Sequence, residues 1–231
     1  MVKILIGICC TRQDNRFLES FNKFFDSCSE RYNISVNWQY NKFLPDAQNL
    51  ITDIFMDGNY THLLLLDDDH WGHKVEMLDC LLNADVYVAT MKTYSRHYPY
   101  VCAAWNWVNE NTTIPIELGD GYVECDLTGF PMTLIKRSLF DKIDKPYFRM
   151  YSDGDRDWHS DIDFFKRLNK IGIKPIVCFQ YCLNHDKITQ ENVYRYRYDE
   201  RLYNNNVGWY NLINSSVNNQ ITKTKPEMAV S

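Results

Sequence analysis

A chain of 231 residues with 45% hydrophobic and 24% charged content can build one large domain around its own apolar core. Its 25 basic and 30 acidic residues leave a net charge of -5, spread along the sequence, which excludes a broad phosphate-neutralising face for nucleic acid. No run of about 18 apolar residues occurs, which excludes a membrane-spanning helix.

The first apolar run, 2–10, is short, carries Lys3 and gives way at once to Thr11, Arg12 and Asp14; it reads as a strand over 3–10 and not as a leader. Phe17, Phe21, Phe24, Phe25 and Cys28 then recur at helical spacing, predicting a helix over 15–32 capped by Asp14 or Asn15. The alternation repeats: a strand over 34–40, a helix over 46–57 with Leu50, Ile54 and Phe55 on one face and Gly58 as its stop, a strand over 61–66, a helix near 74–83 and a strand over 86–91. Such alternation specifies an α/β fold with a mostly parallel sheet flanked by helices.

Beyond residue 94 the pattern is mixed and rich in aromatics, with Tyr94, Tyr98, Tyr100, Trp105 and Trp107 close together; such rings stack on sugars and bases but also build cores. Strands are expected over 98–108, 121–126 and 130–135, then a short helix over 137–143. A helix over 160–171, stopped by Gly172, packs Ile162, Phe164, Phe165 and Leu168 inward, and a strand over 174–178 leads to Asn184-His185-Asp186. The arginines within 194–201 suit a lid closing on a donor. One domain over 1–215 is expected, in two halves of about 1–93 and 94–215, with a flexible tail over 216–231.

The eight cysteines form no CxxC pair; Cys9 adjoins Cys10, and three residues separate Cys178 from Cys182. Reduced core thiols and a cytoplasmic setting are therefore expected, and zinc ligation is not. The sequons at Asn33 and Asn111 matter only in a secreted protein.

The most informative feature is Asp67-Asp68-Asp69, placed directly after Leu63-Leu64-Leu65-Leu66. A buried strand thus ends in three carboxylates, at the sheet edge where ligands of such folds bind. Carboxylates this close repel one another unless a cation neutralises them, and no basic residue stands beside them in sequence. A divalent ion is the simplest remedy, although an aspartate run also occurs as a solvated loop.

Together with the Thr128-Gly129-Phe130 turn, the Ser160-Asp161-Ile162-Asp163 helix start and Asn184-His185-Asp186, the triplet resembles the GT-A (Rossmann-like) fold of glycosyltransferases that use nucleotide-diphosphate sugars, in particular the family-two-like group. The resemblance covers roughly residues 1–186. It implies a donor half, a mixed C-terminal acceptor half, and Mn²⁺ or Mg²⁺ to neutralise the departing diphosphate. In its terms Asp69 binds the metal, Asp67 holds the ribose or the metal's water shell, and His185 is a late-arriving ligand, though a lone histidine after a strand is often only a satisfied core residue. Cys10, Thr11 and Arg12 lie in the nucleotide-base loop, Asp68, Gln48 and Lys92 stand among the donor contacts, and Gly129 lets backbone approach the sugar. Asp161 occupies the place of the catalytic base in inverting members, supported by Asp163; helix-start acids also cap free N–H groups and oppose the helix dipole. His70, His73 and His159 stand beside these motifs without filling a family position.

Two departures stand out: Ser160 replaces the usual glutamate, and Gln48 stands where the family often carries arginine, a charge that Lys92, Arg96 or Arg12 could restore. The implied reaction is transfer of a sugar to an acceptor hydroxyl on a glycan, lipid, protein or modified nucleobase. Two alternatives remain at this point. A sugar nucleotidyltransferase wants a Gly-rich loop after the first strand, which Gly7-Ile8-Cys9-Cys10 does not supply, and a degenerate carbohydrate-binding module has Ser160 and Gln48 in its favour.

Overall fold

The computed structural model describes residues 2–10, 14–95, 100–109, 112–116, 119–152 and 157–186, with 151–152 and 157–158 described as backbone alone. These residues belong to one compact unit, Met1–Thr189. Thr11, Arg12, Arg96, Tyr98, Asn111, the lid segment 194–201, the domain end at 215 and the tail 216–231 lie outside the described residues.

The chain begins with β1 (Lys3–Cys10), α1 (Asn15–Ser29), β2 (Asn33–Tyr40), α2 (Leu44–Asp57), β3 (His62–Asp67), β4 (His70–Trp71), α3 (Val75–Asn83) and β5 (Val88–Lys92). The second half contributes β6 (Ala104–Asn109), β7 (Thr112–Pro115), β8 (Tyr122–Glu124), β9 (Leu127–Thr128), β10 (Met132–Lys136), β11 (Tyr151–Ser152), β12 (Asp157–Trp158), α4 (Ser160–Lys170), β13 (Ile176–Cys182) and β14 (Asn184–His185).

The main sheet has the order β2-β1-β3-β10-β5-β13-β8. β1 pairs parallel with β2 and β3, and β13 parallel with β5. β10, legible in sequence only as another strand, inserts antiparallel between β3 and β5, and β8 closes the far edge antiparallel to β13. β1 and β3 are nearly all apolar because helices cover both their faces. Period-two alternation divides β1 between two cores: Ile4, Ile6 and Ile8 pack with Phe17, Phe21, Phe24 and the apolar face of α3. Leu5 and Cys9 pack with Ala47, Ile51 and Phe55 of α2 and with Phe164, Phe165 and Leu168 of α4. The result is three layers, with α1 and α3 on one face and α2 and α4 on the other.

Several local expectations are corrected. α1 stops at Ser29, where the Cys28 carbonyl takes the N–H groups of both Arg31 and Tyr32. α2 begins at Leu44, Pro45 being pre-set for a first turn, and buries Ala47, Gln48, Ile51, Thr52 and Phe55 while Leu50 and Ile54 stay 41% and 39% exposed. The misread face has a physical reason at Thr52, which satisfies its hydroxyl on the Gln48 carbonyl at 2.8 Å and so can lie inward. The helix expected over 137–143 is one 3-10 turn, Arg137–Leu139, because Arg137 turns back to donate to the Phe55 and Gly58 carbonyls, each at 2.9 Å, at the open end of α2.

The thiol expectation is also corrected at one pair. Cys80 of α3 and Cys178 of β13 form a disulfide across a separation of 98 residues, a proximity made by packing and signalled by no local spacing; the other six cysteines are not disulfide-bonded among the described residues. Among the described residues, no helix is long and apolar enough to cross a membrane.

Candidate active site

β3 delivers Asp67 at the carboxyl edge of the sheet, level with Cys9 of β1. Asp68 and Asp69 turn the chain into β4, which pairs antiparallel with β14 so that His70 faces His185. Their rings stack with centroids 4.1 Å apart and an interplanar angle of 19°. Both converge on Asp69: His70 Nδ1 lies 2.9 Å from Oδ1, and His185 Nε2 lies 3.4 Å from Oδ2. Because a carbonyl only accepts, His185 Nδ1 donates to the Tyr94 carbonyl at 2.7 Å, and Nε2 is the ring atom turned toward Asp69. A backbone acceptor behind an imidazole is the usual way of orienting a metal-binding histidine.

Burial works against charge on Asp69, yet hydrogen bonds from His185 and His70 and their nearby charge hold its carboxyl well below the ordinary carboxylate range. The acidic character of the strand end is felt next door, where burial and then the charges of Asp67 and Asp68 push the Cys9 thiol up. Potential ligand atoms of Asp69, His70 and His185 all lie within 4.8 Å of one another. One carboxylate and two imidazoles at that spacing can hold a divalent cation.

His70 is the residue that sequence reasoning passed over. Its signal was adjacency to the acidic triplet; what brings it into the trio is pairing between two-residue strands distant in the chain. Asp67 lines the same cleft but stands outside this trio.

That cleft, of about 320 Å³, is lined by Asp67, Asp69, His70 and His185, by Gly129, Phe130 and Pro131, by Trp105, and by His159, Ser160 and Asp161. Three of the four motifs that stand apart in sequence thus meet their fourth in one depression. Asp161 occupies the first turn of α4 and its Oδ1 accepts the Ile162 N–H at 2.8 Å. Burial raises its pKa, outweighing the Ile162 bond and the charge of His159, so the group is a stronger base than a solvated aspartate. Gly129 is not explained by its protein surroundings: a Cβ there would meet only Pro131 Cδ, at an ordinary 3.7 Å.

The remaining candidates lie elsewhere. Asp163 is 6% exposed and is gripped by Arg149 and Arg167, each Nε 2.9 Å from its Oδ2; Arg167 also bonds the Asp144 and Tyr147 carbonyls. Asp163 therefore fixes the start of α4 against the 144–149 loop. Cys10, Gln48 and Asp68 are buried and do not line the cleft; Gln48 Oε1 has no partner among the described residues. Lys92, at the end of β5, rests against the rings of Tyr94 and Phe179 at 5.2 and 5.4 Å.

No protein-family model matches this sequence, and no curated protein matches it. Solved structures do. The chain is similar to A197 from STIV, at 17% identity and TM-score 0.53 over 76% of this chain and 81% of that one. It is similar also to GalNAc-T7 solved with UDP, GalNAc and Mn²⁺, at 11% identity and TM-score 0.51 over 86% of this chain and 48% of that one. The chain spans about half the length of that second protein. With the sheet order above, these likenesses establish a GT-A-like fold, a mostly parallel sheet between two helical layers.

Proposed function

We propose that the protein is a metal-dependent glycosyltransferase that moves a sugar from a nucleotide-diphosphate donor to an acceptor hydroxyl, with inversion. One observation carries this reading: the carboxylate–imidazole trio and the basic carboxylate Asp161 open into the same cleft. GalNAc-T7, of similar fold, was solved with a nucleotide and Mn²⁺, which supports the same chemistry here.

Asp69, His70 and His185 would hold the cation. Two imidazoles beside one carboxylate suit Mn²⁺ better than Mg²⁺, which prefers an all-oxygen shell. A cation held there would supply positive charge to the diphosphate leaving group. Asp67 serves the ribose or the cation's water shell, and Gly129 leaves room for the sugar beside its backbone. The acceptor hydroxyl gives its proton to Asp161 as its oxygen attacks the anomeric carbon, and the C–O bond to the diphosphate breaks with its electron pair going to the nucleotide. Asp163 acts as a positioning residue, through the helix that carries Asp161. Trp105 offers a ring face on the cleft wall against which a sugar can stack.

A panel of nucleotide-diphosphate sugars incubated with Mn²⁺ tests the assignment. Release of nucleoside diphosphate is the expected result. Consumption of added pyrophosphate, with formation of nucleoside triphosphate and sugar phosphate, would instead mark a nucleotidyltransferase, and donor binding without any product a binding module.

A further inference from the structure

Arg16 and Ser20 stand one turn apart on α1, and each reaches one strand of the ribbon that carries the two histidines. Ser20 Oγ accepts the N–H groups of Gly72 and His73, both at 2.8 Å, directly after β4. With two donors already on the oxygen, its own proton goes to His73 Nδ1, 3.0 Å away. Arg16 serves the other strand: Nη1 donates to the Asp186 carbonyl at 2.9 Å and Nη2 to Asp186 Oδ1 at 3.2 Å, directly after His185.

The two anchor points are also tied to each other. Trp71 Nε1 donates to the Asp186 carbonyl at 3.0 Å, and the Asp186 N–H to the Asp69 carbonyl at 2.7 Å. The Arg16 guanidinium lies over the Trp71 ring at 5.8 Å. Asp186 has a positive φ of 51°, a conformation that asks for outside support. On its other side Arg16 grips Asp14, the cap of its own helix, at 2.6 Å. One helix thus sets the relative position of the two imidazoles without touching a ligand atom.

We propose that Arg16 and Ser20 are positioning residues for the cation site, α1 acting as a clip that holds the β4–β14 ribbon in the geometry that brings His70 and His185 onto Asp69. The inference rests on the proposed reading of that trio as a cation site. Outer-shell partners of this kind are worth about tenfold to a hundredfold in metal affinity. Arg16 is suited to the task by its two-pronged grip on Asp186, which a lysine cannot reproduce.

The test is Mn²⁺ titration by calorimetry of the unliganded protein, with Arg16→Gln, Arg16→Lys and Ser20→Ala beside Lys23→Ala, an exposed residue of the same helix paired with Glu19. In parallel, ¹⁵N NMR of the histidine rings is followed without metal. Both Arg16 variants and Ser20→Ala are expected to bind Mn²⁺ about tenfold or more weakly, with the His70 and His185 ring signals averaged, while Lys23→Ala matches the wild type in both. Unchanged Mn²⁺ affinity and unchanged ring signals in Arg16→Gln and Ser20→Ala would overturn the clip. If the wild type takes up no Mn²⁺, the cation reading falls, and the ring signals alone decide whether α1 positions the two imidazoles.

Discussion

His70 and His185 lie face to face at 4.1 Å, yet neither ring is placed by its neighbours in sequence: each sits on a two-residue strand that exists only through pairing with the other. Two imidazoles converging with a single carboxylate form a compact set of cation ligands. Removing one of the rings should therefore cost more than disturbing an outer support. Asp69→Ala is expected to abolish Mn²⁺ binding, and His70→Ala and His185→Ala to weaken it by more than about a hundredfold. Calorimetric titration checks this. His70→Ala is the discriminating variant, because a site built from Asp67, Asp69 and His185 alone would hardly notice its loss.

Asp161 and Asp163 both open α4, yet their surroundings separate their roles. Asp161→Asn removes the proton acceptor and keeps the shape, so donor affinity should hold while kcat falls by about a hundredfold to ten-thousandfold. Donor binding followed by calorimetry, set beside steady-state kinetics, separates the two effects. Full activity in Asp161→Asn would unseat it as base.

The same carboxyl carries a pH signature. Its pKa is raised, chiefly by burial, so the folded chain holds this proton more tightly than the unfolded chain does. Ionising it costs stability as pH rises through the folded pKa, and Asp161→Asn should be no less stable than the wild type at neutral pH. As a base Asp161 must be ionised, so kcat/KM should fall toward acid through a pKa above the ordinary aspartate value of about 3.9. A pH–rate profile beside thermal melts at two pH values reads both effects.

Asp163 contributes to stability through its partners. It is buried between two guanidinium groups, and its removal strands Arg167, whose side chain is largely buried, although Arg149 is half exposed and regains water. Asp163→Ala should cost about 3 kcal/mol, measured by urea unfolding, with activity falling only as far as α4 shifts.

The layered fold was legible because β1 and β3 write their burial directly: Ile4, Ile6 and Ile8 alternate with Leu5 and Cys9 between two cores, and the aspartates follow a run of leucines. What was not legible depends on distant partners. Thr52 looks like a surface residue until its hydroxyl finds a carbonyl within its own helix. Cys80 and Cys178 meet only when α3 packs on β13. His70 gains meaning only opposite His185. Local pattern encodes which face is apolar; it does not encode which residues from far along the chain complete a polar cluster.

Gly7 and Gly129 extend that contrast to a pair of substitutions. At Gly7, in the middle of β1, an added Cβ would lie 2.4 Å from Ile51 Cγ2 and 3.2 Å from Leu65 Cδ2, because α2 packs directly on the strand. Gly7→Ala must therefore push Ile51 off its place, at a cost of about 1–3 kcal/mol. At Gly129 the new methyl would meet only Pro131 at 3.7 Å, so Gly129→Ala should change stability by less than about 0.5 kcal/mol. Gly129 does, however, line the cleft together with Asp67, Asp69 and Asp161, where the proposed reading puts the sugar. Donor affinity should accordingly drop in Gly129→Ala while its unfolding midpoint stays with the wild type. Unfolding curves and donor titrations on the two variants together distinguish a glycine kept for packing from one kept for a ligand; unchanged donor binding in Gly129→Ala would place the sugar elsewhere in the cleft.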